Sequence, residues 1–496
     1  MDKDQVSRID QLFREVADKG MSRRQMIQRA AVLGISASAL TVAFTRKAQL
    51  AVAQGDDNPL GVDPDAPLDV VIFKGGYSDE YAINVNDSLY SALYPGAEIT
   101  YAGTTRLQEQ YQARFVDGNP PDVMDNSGAG NFNNTTLINE GQLADLAPLM
   151  EAEAYGQPGV LFKDSLLPGT QDTGVFDGKQ YVLNYVISIN GIWYNQALFT
   201  ENGWEYPETW DEMLTLCQTI KDAGIAPWTY QGQYPQYIRS PFDQMVWKAG
   251  GWDAMLKLDN LAEDAWTQDV VKEALTAWKT LYDNGFIMDG TEALSHTESQ
   301  ASWLQGQAAF IPCGTWLAKE MEGLIPDGFE MTVKPTPSLS ADDQLPQSAV
   351  QAGAGETFIV PANGNNVAGG MEWLRLLFSQ EAAAFFAENV YSMTVVAGVG
   401  EGQDFGAPFN SALAVMNAAG ADTFVGARYP GWYSDLDEES KYQFGLLMTG
   451  QTSVDDMCNA LQDLVNQIRE DDSIPKFTRE APSATPTTSP EATPAS

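Results

Sequence analysis

Apolar and polar positions follow two rhythms along this chain. Short unbroken apolar runs such as "LDVVIF" (68–73) fit strands buried on both faces, whereas "TWDEMLTLCQTIKDAG" (209–224) repeats its apolar residues on one helical face. Met213, Leu216, Cys217 and Ile220 form that face. Thr209 and Glu212 open the segment as a T-x-x-E capping box, and Gly224 stops it. "SHTESQASWLQG" (295–306) repeats the device with Ser295, Glu298 and Gly306. "DSLYSALYPGAEITYAG" (87–103) reads as a helix, a turn at Pro95-Gly96 and a strand. "RLQEQYQARFVDGNPPDVMD" (106–125) reads as a helix ended by Gly118 and a strand at 122–124. This alternation predicts an α/β fold with short parallel strands, and no internal repeat is visible.

Ligands of parallel sheets sit outside the carboxyl ends of the strands, where loops lead into helices. "GQAAFIPCGTW" (306–316) has such a junction: an apolar run, Ala308 to Ile311, passes Pro312, Cys313 and Gly314 and delivers Trp316 at the start of the next helix. "DNSGAGN" (125–131) is another. By pattern alone Trp316 is equally a core plug and a flat platform for a ligand.

With 496 residues the chain exceeds one simple core, which predicts two lobes. The formal net charge is −39. Nine basic and five acidic residues fall in the first 53 positions, which leaves 19 basic against 62 acidic beyond them. Such a surface repels phosphate backbones, so nucleic acid is not an expected partner. One histidine and three scattered cysteines (Cys217, Cys313, Cys458) give no metal-ligand cluster, and no metal or cofactor is expected.

The ends differ from the body. "SRRQMIQRAAVLGISASALTVAFTR" (22–46) places Arg23 and Arg24 before a weakly apolar stretch, and Ala51-Val52-Ala53 offers an A-x-A cleavage site. Residues 1–53 thus resemble a twin-arginine export signal, with cleavage before Gln54 and delivery to the periplasm, cell surface or exterior. No cysteine near that point offers a lipid anchor. Residues 54–67 read as a linker, and 479–496, rich in Pro, Thr and Ser, as a disordered tail.

Familiar catalytic motifs are missing: there is no G-x-S-x-G, Gly-rich phosphate loop or H-E-x-x-H. The sole His296 sits in a helix-start segment, and no spacing singles out a pair among the 67 acidic residues. "DLDEES" (435–440) resembles a calcium loop weakly and is expected to be a solvated turn. Aromatics and amides crowd two loops. "APWTYQGQYPQY" (226–237) holds Trp228, Tyr230, Tyr234 and Tyr237 among Gln231, Gln233 and Gln236, and "RYPGWYSD" (428–435) holds Tyr429, Trp432 and Tyr433. Aromatic faces suit the C–H faces of sugars and amides suit their hydroxyls, though the same residues serve core packing equally well. Trp210, Trp278 and Trp373 lie in helical patterns and are expected in the core.

"NPPDVMD", "GVFDGKQYVLNYVISINGIWYNQALFTENGWEYPETWDEM", "GQAAFIPCGTWL" and "AGETFIVP" occur in the order found in family 1 extracellular solute-binding proteins of carbohydrate ABC importers. The chain resembles that family over roughly 68–478. "DNSGA", "LLPGT", "NLAEDAWTQ" and "PTPSL" are similar to its N-acetylglucosamine and diacetylchitobiose-binding members. The resemblance implies a two-lobe periplasmic-binding-protein-like fold with hinge crossovers and a ligand cleft between lobes. Lobe I would be 68–184 plus 350–392, and lobe II 185–345 plus 393–478. It implies a monomer that binds a neutral sugar, N-acetylglucosamine or a chitin oligosaccharide, delivers it to ABC importer permease subunits, and does no chemistry on it. A secreted polysaccharide hydrolase and a surface adhesin are the alternatives. Carried over by position, the resemblance makes Trp316 a sugar platform and Asp125 and Asn126 cleft-loop hydrogen-bonders. It places Tyr185, and with it Asn184, on the cleft floor. Gln233, Tyr234 and Tyr237 fall in a second-lobe loop, Glu356 on the returning strand and Trp432 in a late loop; Tyr230 joins them from the aromatic cluster.

Overall fold

The computed structural model describes residues 58–481 apart from 129 and 401. The twin-arginine segment and most of the Pro/Thr/Ser-rich tail lie outside the described residues.

The strands, in chain order, are β1 (Leu68–Phe73), β2 (Ile99–Thr104), β3 (Val123–Asp125), β4 (Val175–Phe176), β5 (Lys179–Gln180) and β6 (Val182–Asn195). Then follow β7 (Ala226–Trp228), β8 (Ala308–Gly314), β9 (Met331–Lys334), β10 (Val350–Ile359), β11 (Met393–Thr394) and β12 (Thr423–Phe424). β4 and β5 form a small hairpin. The rest form one sheet with the path β2-β1-β3-β10-β6-β8-β7, flanked by β9, β11 and β12. β1 pairs parallel with β2 and β3, and β7 pairs parallel with β8. Two long strands join these parallel groups. β6 and β10 run antiparallel from the Val182↔Ile359 pair to the Asn190↔Gln351 pair. One end of the ladder reaches β3 through Ile359↔Met124, and the other reaches β12 through Gln351↔Phe424. The chain is thus a two-lobe α/β protein whose lobes share paired crossover strands.

Local signals are realised closely. The helix Trp210–Asp222 starts where Glu212 accepts the Thr209 N–H at 3.1 Å. The helix His296–Leu304 starts with both halves of its capping box, Glu298 N–H to Ser295 Oγ at 3.3 Å and Ser295 N–H to Glu298 Oε2 at 2.8 Å. Where apolar faces meet, large aromatics fill the core. Trp210, Trp228 and Trp278 cluster in the second lobe with centroids 5.3–6.2 Å apart, and Trp373 is buried in the first. Cys217, Cys313 and Cys458 are buried free thiols.

Four expectations change. β8 runs on through Pro312 and Cys313 to Gly314, so these are strand residues, not a strand end. "DLDEES" lies within the helix Ser434–Met448, because Asp437 pairs with Arg239 and Lys441 and the segment is helical from its start. Part of the expected linker is folded: Asn58 clamps both the N–H and C=O of Val62 at 2.7 Å, and Val62 is buried in the first-lobe core. Arg479, assigned to the tail, is anchored on Asp259 at 2.7 Å.

Candidate functional site

The carboxyl ends of β1 and β8 face each other across the crossover, so the loops that follow them meet. A Cβ on Gly76, in the loop after β1, would stand 3.1 Å from the Trp316 Cβ, so a larger residue there would crowd the indole side chain. Tyr77 reaches the crossover, its hydroxyl 2.7 Å from Ser188 Oγ on β6. Lys319, beyond Trp316, pairs with Glu80 at 2.7 Å.

Two cavities border this junction. The smaller, about 130 Å³, lies among Trp316, Tyr237, Gln236, Ser240, Cys313 and Asn190. Trp316 and Tyr237 are half-buried and meet edge to face, centroids 6.4 Å apart at 67°. An indole left partly open over a cavity presents an apolar face to whatever enters, while Gln236, Ser240 and Asn190 supply hydrogen-bonding edges. The larger cavity, about 360 Å³, lies on the crossover strands among Asn134, Asn184, Ser188, Gln351, Thr357 and Arg428. Asn190 lines both. None of the residues lining either cavity is a carboxylate or imidazole. The Cys313 thiol beside the smaller one is held protonated by burial, its pKa raised well above the ordinary value. The smaller lining offers an aromatic face and neutral hydrogen-bonding groups, and the larger adds one cation, Arg428, to amides and hydroxyls.

Strand alternation decides which side of β6 is polar. Asn184, Ser188 and Asn190 face the cavities, and Tyr185 and Ile189 face the core. Tyr185 is therefore corrected from the cleft floor to the core. Its ring packs against Phe358, Phe378 and Phe386 at 4.9–6.0 Å, inside the hydrophobic cluster that also takes Leu183, Ile187 and Ile189 of the same strand. Tyr230 is 3% exposed and packs in the second-lobe core. Asn126 is fully buried and its amide is spent on its own loop, donating to Phe132 O (3.0 Å) and Asn134 Oδ1 (2.7 Å) and accepting from Phe132 N–H (2.8 Å). It thereby holds Asn134 at the larger cavity. Gln233 is exposed and donates to Ala293 O, pinning a turn. Tyr234, also exposed, stands edge-on to His296. Trp432 stacks on Phe477 at 5.5 Å and 24°, away from both cavities, because the C-terminal segment folds back over it.

Asp125 and Glu356 do come together, though they line neither cavity. Asp125 is buried and accepts from Tyr81 Oη at 2.9 Å and Ser127 Oγ at 2.6 Å. Glu356 takes a left-handed backbone, φ +49°, in the middle of β10, and its Oε2 is sealed from solvent without a hydrogen-bond partner among the described residues. Burial first, and then the neighbouring Glu356, raise Asp125 well above the usual carboxylate range. Burial likewise raises Glu356, to about 7. Two carboxyls in one dry site resist ionising together.

Asn190, Ser240 and Arg428 were not singled out by sequence reasoning, whereas Gln236 was named among the amides of the 226–237 loop. Asn184, Ser188 and Asn190 did carry a signal: polar residues at even spacing in the otherwise apolar "VLNYVISINGIW" mark one open face of a buried strand. Arg428 had none, since its position depends on a distant loop.

Residues 45–384 match the family model described as bacterial extracellular solute-binding protein. The chain is 33% identical over 422 residues to the diacetylchitobiose binding protein NgcE of Streptomyces coelicolor, covering 85% of this chain and 88% of that one. It is 29% identical over 138 residues to the osmoprotective compounds-binding protein GgtB of a Synechocystis, 27% of this chain and 30% of that one. A solved chitin oligosaccharide binding protein has the same fold, with TM-score 0.65 at 16% identity over 81% of this chain and 98% of that one. The raffinose complex of RafE superposes with TM-score 0.64 at 17% identity, over 81% and 99%. The chain belongs to the bacterial extracellular solute-binding protein family.

Proposed function

We propose that this protein binds a neutral sugar with high affinity outside the cytoplasm and delivers it to the permease of an ABC importer. N-acetylglucosamine or a chitin oligosaccharide is the ligand class. The carrying observation is the Trp316–Tyr237 platform, half-open over a cavity edged by neutral amides and a hydroxyl. An N-acetyl group brings one donor, one acceptor and a methyl, which such a lining suits. NgcE, named for diacetylchitobiose, supports the same class. Residues 68–184 plus 350–392 form one lobe and 185–345 plus 393–478 the other, hinged at β6 and β10. Asp125 and Glu356 act at that hinge and do not touch the sugar. Residues 1–53 direct export by the twin-arginine route, and the protein works as a monomer.

The alternative is a polysaccharide hydrolase. The Asp125–Glu356 pair is the observation that favours it, but both carboxyls stand outside the cavities. Thermal-shift screening of the export-processed protein against mono- and oligosaccharides, followed by chromatography of the bound sugar, separates the readings. The expected result is a raised melting temperature with N-acetylated sugars and intact ligand on release. Cleaved product would establish the hydrolase, and no shift with any sugar would defeat both.

A further inference from the structure

Seven arginines fall within the described residues. Arg106, Arg114, Arg239, Arg375 and Arg479 each form an ion pair, and Arg469 donates to a backbone carbonyl. Arg428 differs. Its backbone N–H donates to Asp259 Oδ1 at 2.6 Å and its carbonyl accepts from Gly431 N–H at 3.1 Å, but its guanidinium makes no ion pair or hydrogen bond to the described residues, and the half-buried residue lines the larger cavity.

The surroundings explain why it stays unpaired. Asp259 is the near carboxylate, and it is spent: Oδ1 takes the backbone N–H groups of Arg428 and Tyr429, and Oδ2 takes Arg479 Nη1 at 2.7 Å. Arg479 Nη1 also donates to Gly426 O at 2.8 Å, which fixes the loop that carries Val425 and Arg428 to the cavity. Arg479 therefore stands beside Arg428 as a second cation. Burial first, and then that repulsion, work against the charged form of Arg428 and outweigh the attraction of Asp259. A cation held in this way, in a chain of net charge −39 with acid groups to spare, is a cost to the free protein that an incoming anion removes.

We propose that the larger cavity is a subsite for an acidic sugar unit, whose carboxylate is held by the Arg428 guanidinium. This rests on the saccharide reading above and amends its charge: a neutral ring lies on Trp316, and the next unit carries a carboxylate into the second cavity. Asn190, which lines both cavities, spans the two units. The planar guanidinium matches a carboxylate with two parallel N–H···O bonds. The remaining lining at Asn134, Asn184, Ser188 and Gln351 is neutral and suits the hydroxyls of the same ring. One unpaired cation among neutral groups fits one carboxylate. The overall negative charge opposes approach only weakly, because it is screened beyond about 8 Å at physiological salt.

The test is calorimetric titration of the export-processed protein with two matched probes. One is N,N′-diacetylchitobiose; the other is the same disaccharide with a lactyl-ether carboxylate on one sugar. The acidic probe is expected to bind about tenfold or more tighter, the worth of one charge-assisted hydrogen-bonded pair, with a preference that shrinks as salt rises. Arg428→Gln should bind both alike, and Arg428→Lys should keep part of the preference. Equal or weaker binding of the acidic probe by the unaltered protein overturns the proposal. So does an equal loss of both probes in Arg428→Gln, which would make the guanidinium a hydroxyl donor. If Arg428→Gln does not fold, the salt-dependent preference of the unaltered protein decides alone. Binding of the neutral probe without acidic preference defeats this inference only; binding of neither probe defeats the saccharide reading with it.

Discussion

Tyr237 and Trp316 meet edge to face, their ring centroids 6.4 Å apart and their planes inclined by 67°. Tyr237 sits in the first turn of the helix Gln236–Asp259, and Trp316 caps the helix Leu317–Glu320. Neither ring is sealed in a core, so the pair forms a wall and leaves apolar surface over the cavity. Removing it exposes its role: Trp316→Ala should weaken sugar binding by roughly 1–3 kcal/mol with the melting temperature nearly unchanged. Tyr237→Ala should weaken it less, since Tyr237 braces the indole. A sharp fall in melting temperature with unchanged affinity would make Trp316 a structural plug.

Gly314 sets the indole from behind. A Cβ there would overlap the six-membered ring of Trp316. Gly314→Ala should therefore displace the platform and weaken binding comparably to Trp316→Ala, although residue 314 contributes no side chain to the cavity. Tryptophan fluorescence with and without sugar checks it; unchanged affinity would mean the indole position does not matter.

The carboxyl pair predicts a pH dependence. Glu356 is pushed up to about 7 by burial, whereas unfolded carboxyls titrate near about 4. Between these values the folded state holds more protons than the unfolded one, so this group's contribution to stability is full at low pH and is lost as pH rises towards 7. Asp243, raised to about 7 by burial, acts in the same direction. Lys248, lowered to about 7 by burial, acts oppositely and only at higher pH: above 7 the folded state holds fewer protons, and stability gains. Relative to the unaltered protein, Glu356→Gln should gain more stability at pH 8 than at pH 5 in denaturant titrations. Equal changes at both would exclude the pair from the pH response.

Arg479 neutralises an aspartate whose side chain is fully buried, at 2.7 Å. Leaving Asp259 without it should cost about 3–5 kcal/mol in Arg479→Ala, because a buried charge loses its partner. Pairing the change with Asp259→Asn should recover part of that loss. A denaturation midpoint unmoved in Arg479→Ala would show that the C-terminal segment is not anchored there.

Hinge closure has its own signature. If β6 and β10 bend on binding, small-angle scattering should report a smaller radius of gyration with sugar than without. A bound sugar with no contraction would count against closure.

Much of this was legible in the residues. β1 matches its apolar run, both capping boxes form, and Trp210, Trp278 and Trp373 are buried as their helical patterns imply. These features depend on neighbours within a few positions, which periodicity and capping chemistry report directly. Trp316 was visible as a junction residue for the same reason.

Tertiary packing decided the rest. Tyr185 and Asn184 are adjacent in a run that is apolar around both, and only the pairing of β6 with β10 and the cluster behind it puts one in the core and the other at the cavity. Glu356 meets Asp125 because β10 pairs with β3 across the sheet, and Trp432 is covered because Phe477 folds back on it. Arg428 stays unpaired because Arg479, distant in sequence, takes Asp259 first. Local order is written in spacing and caps; the choice of face, partner and charge is made by contacts between segments far apart in the chain, whose energies only the assembled fold brings together.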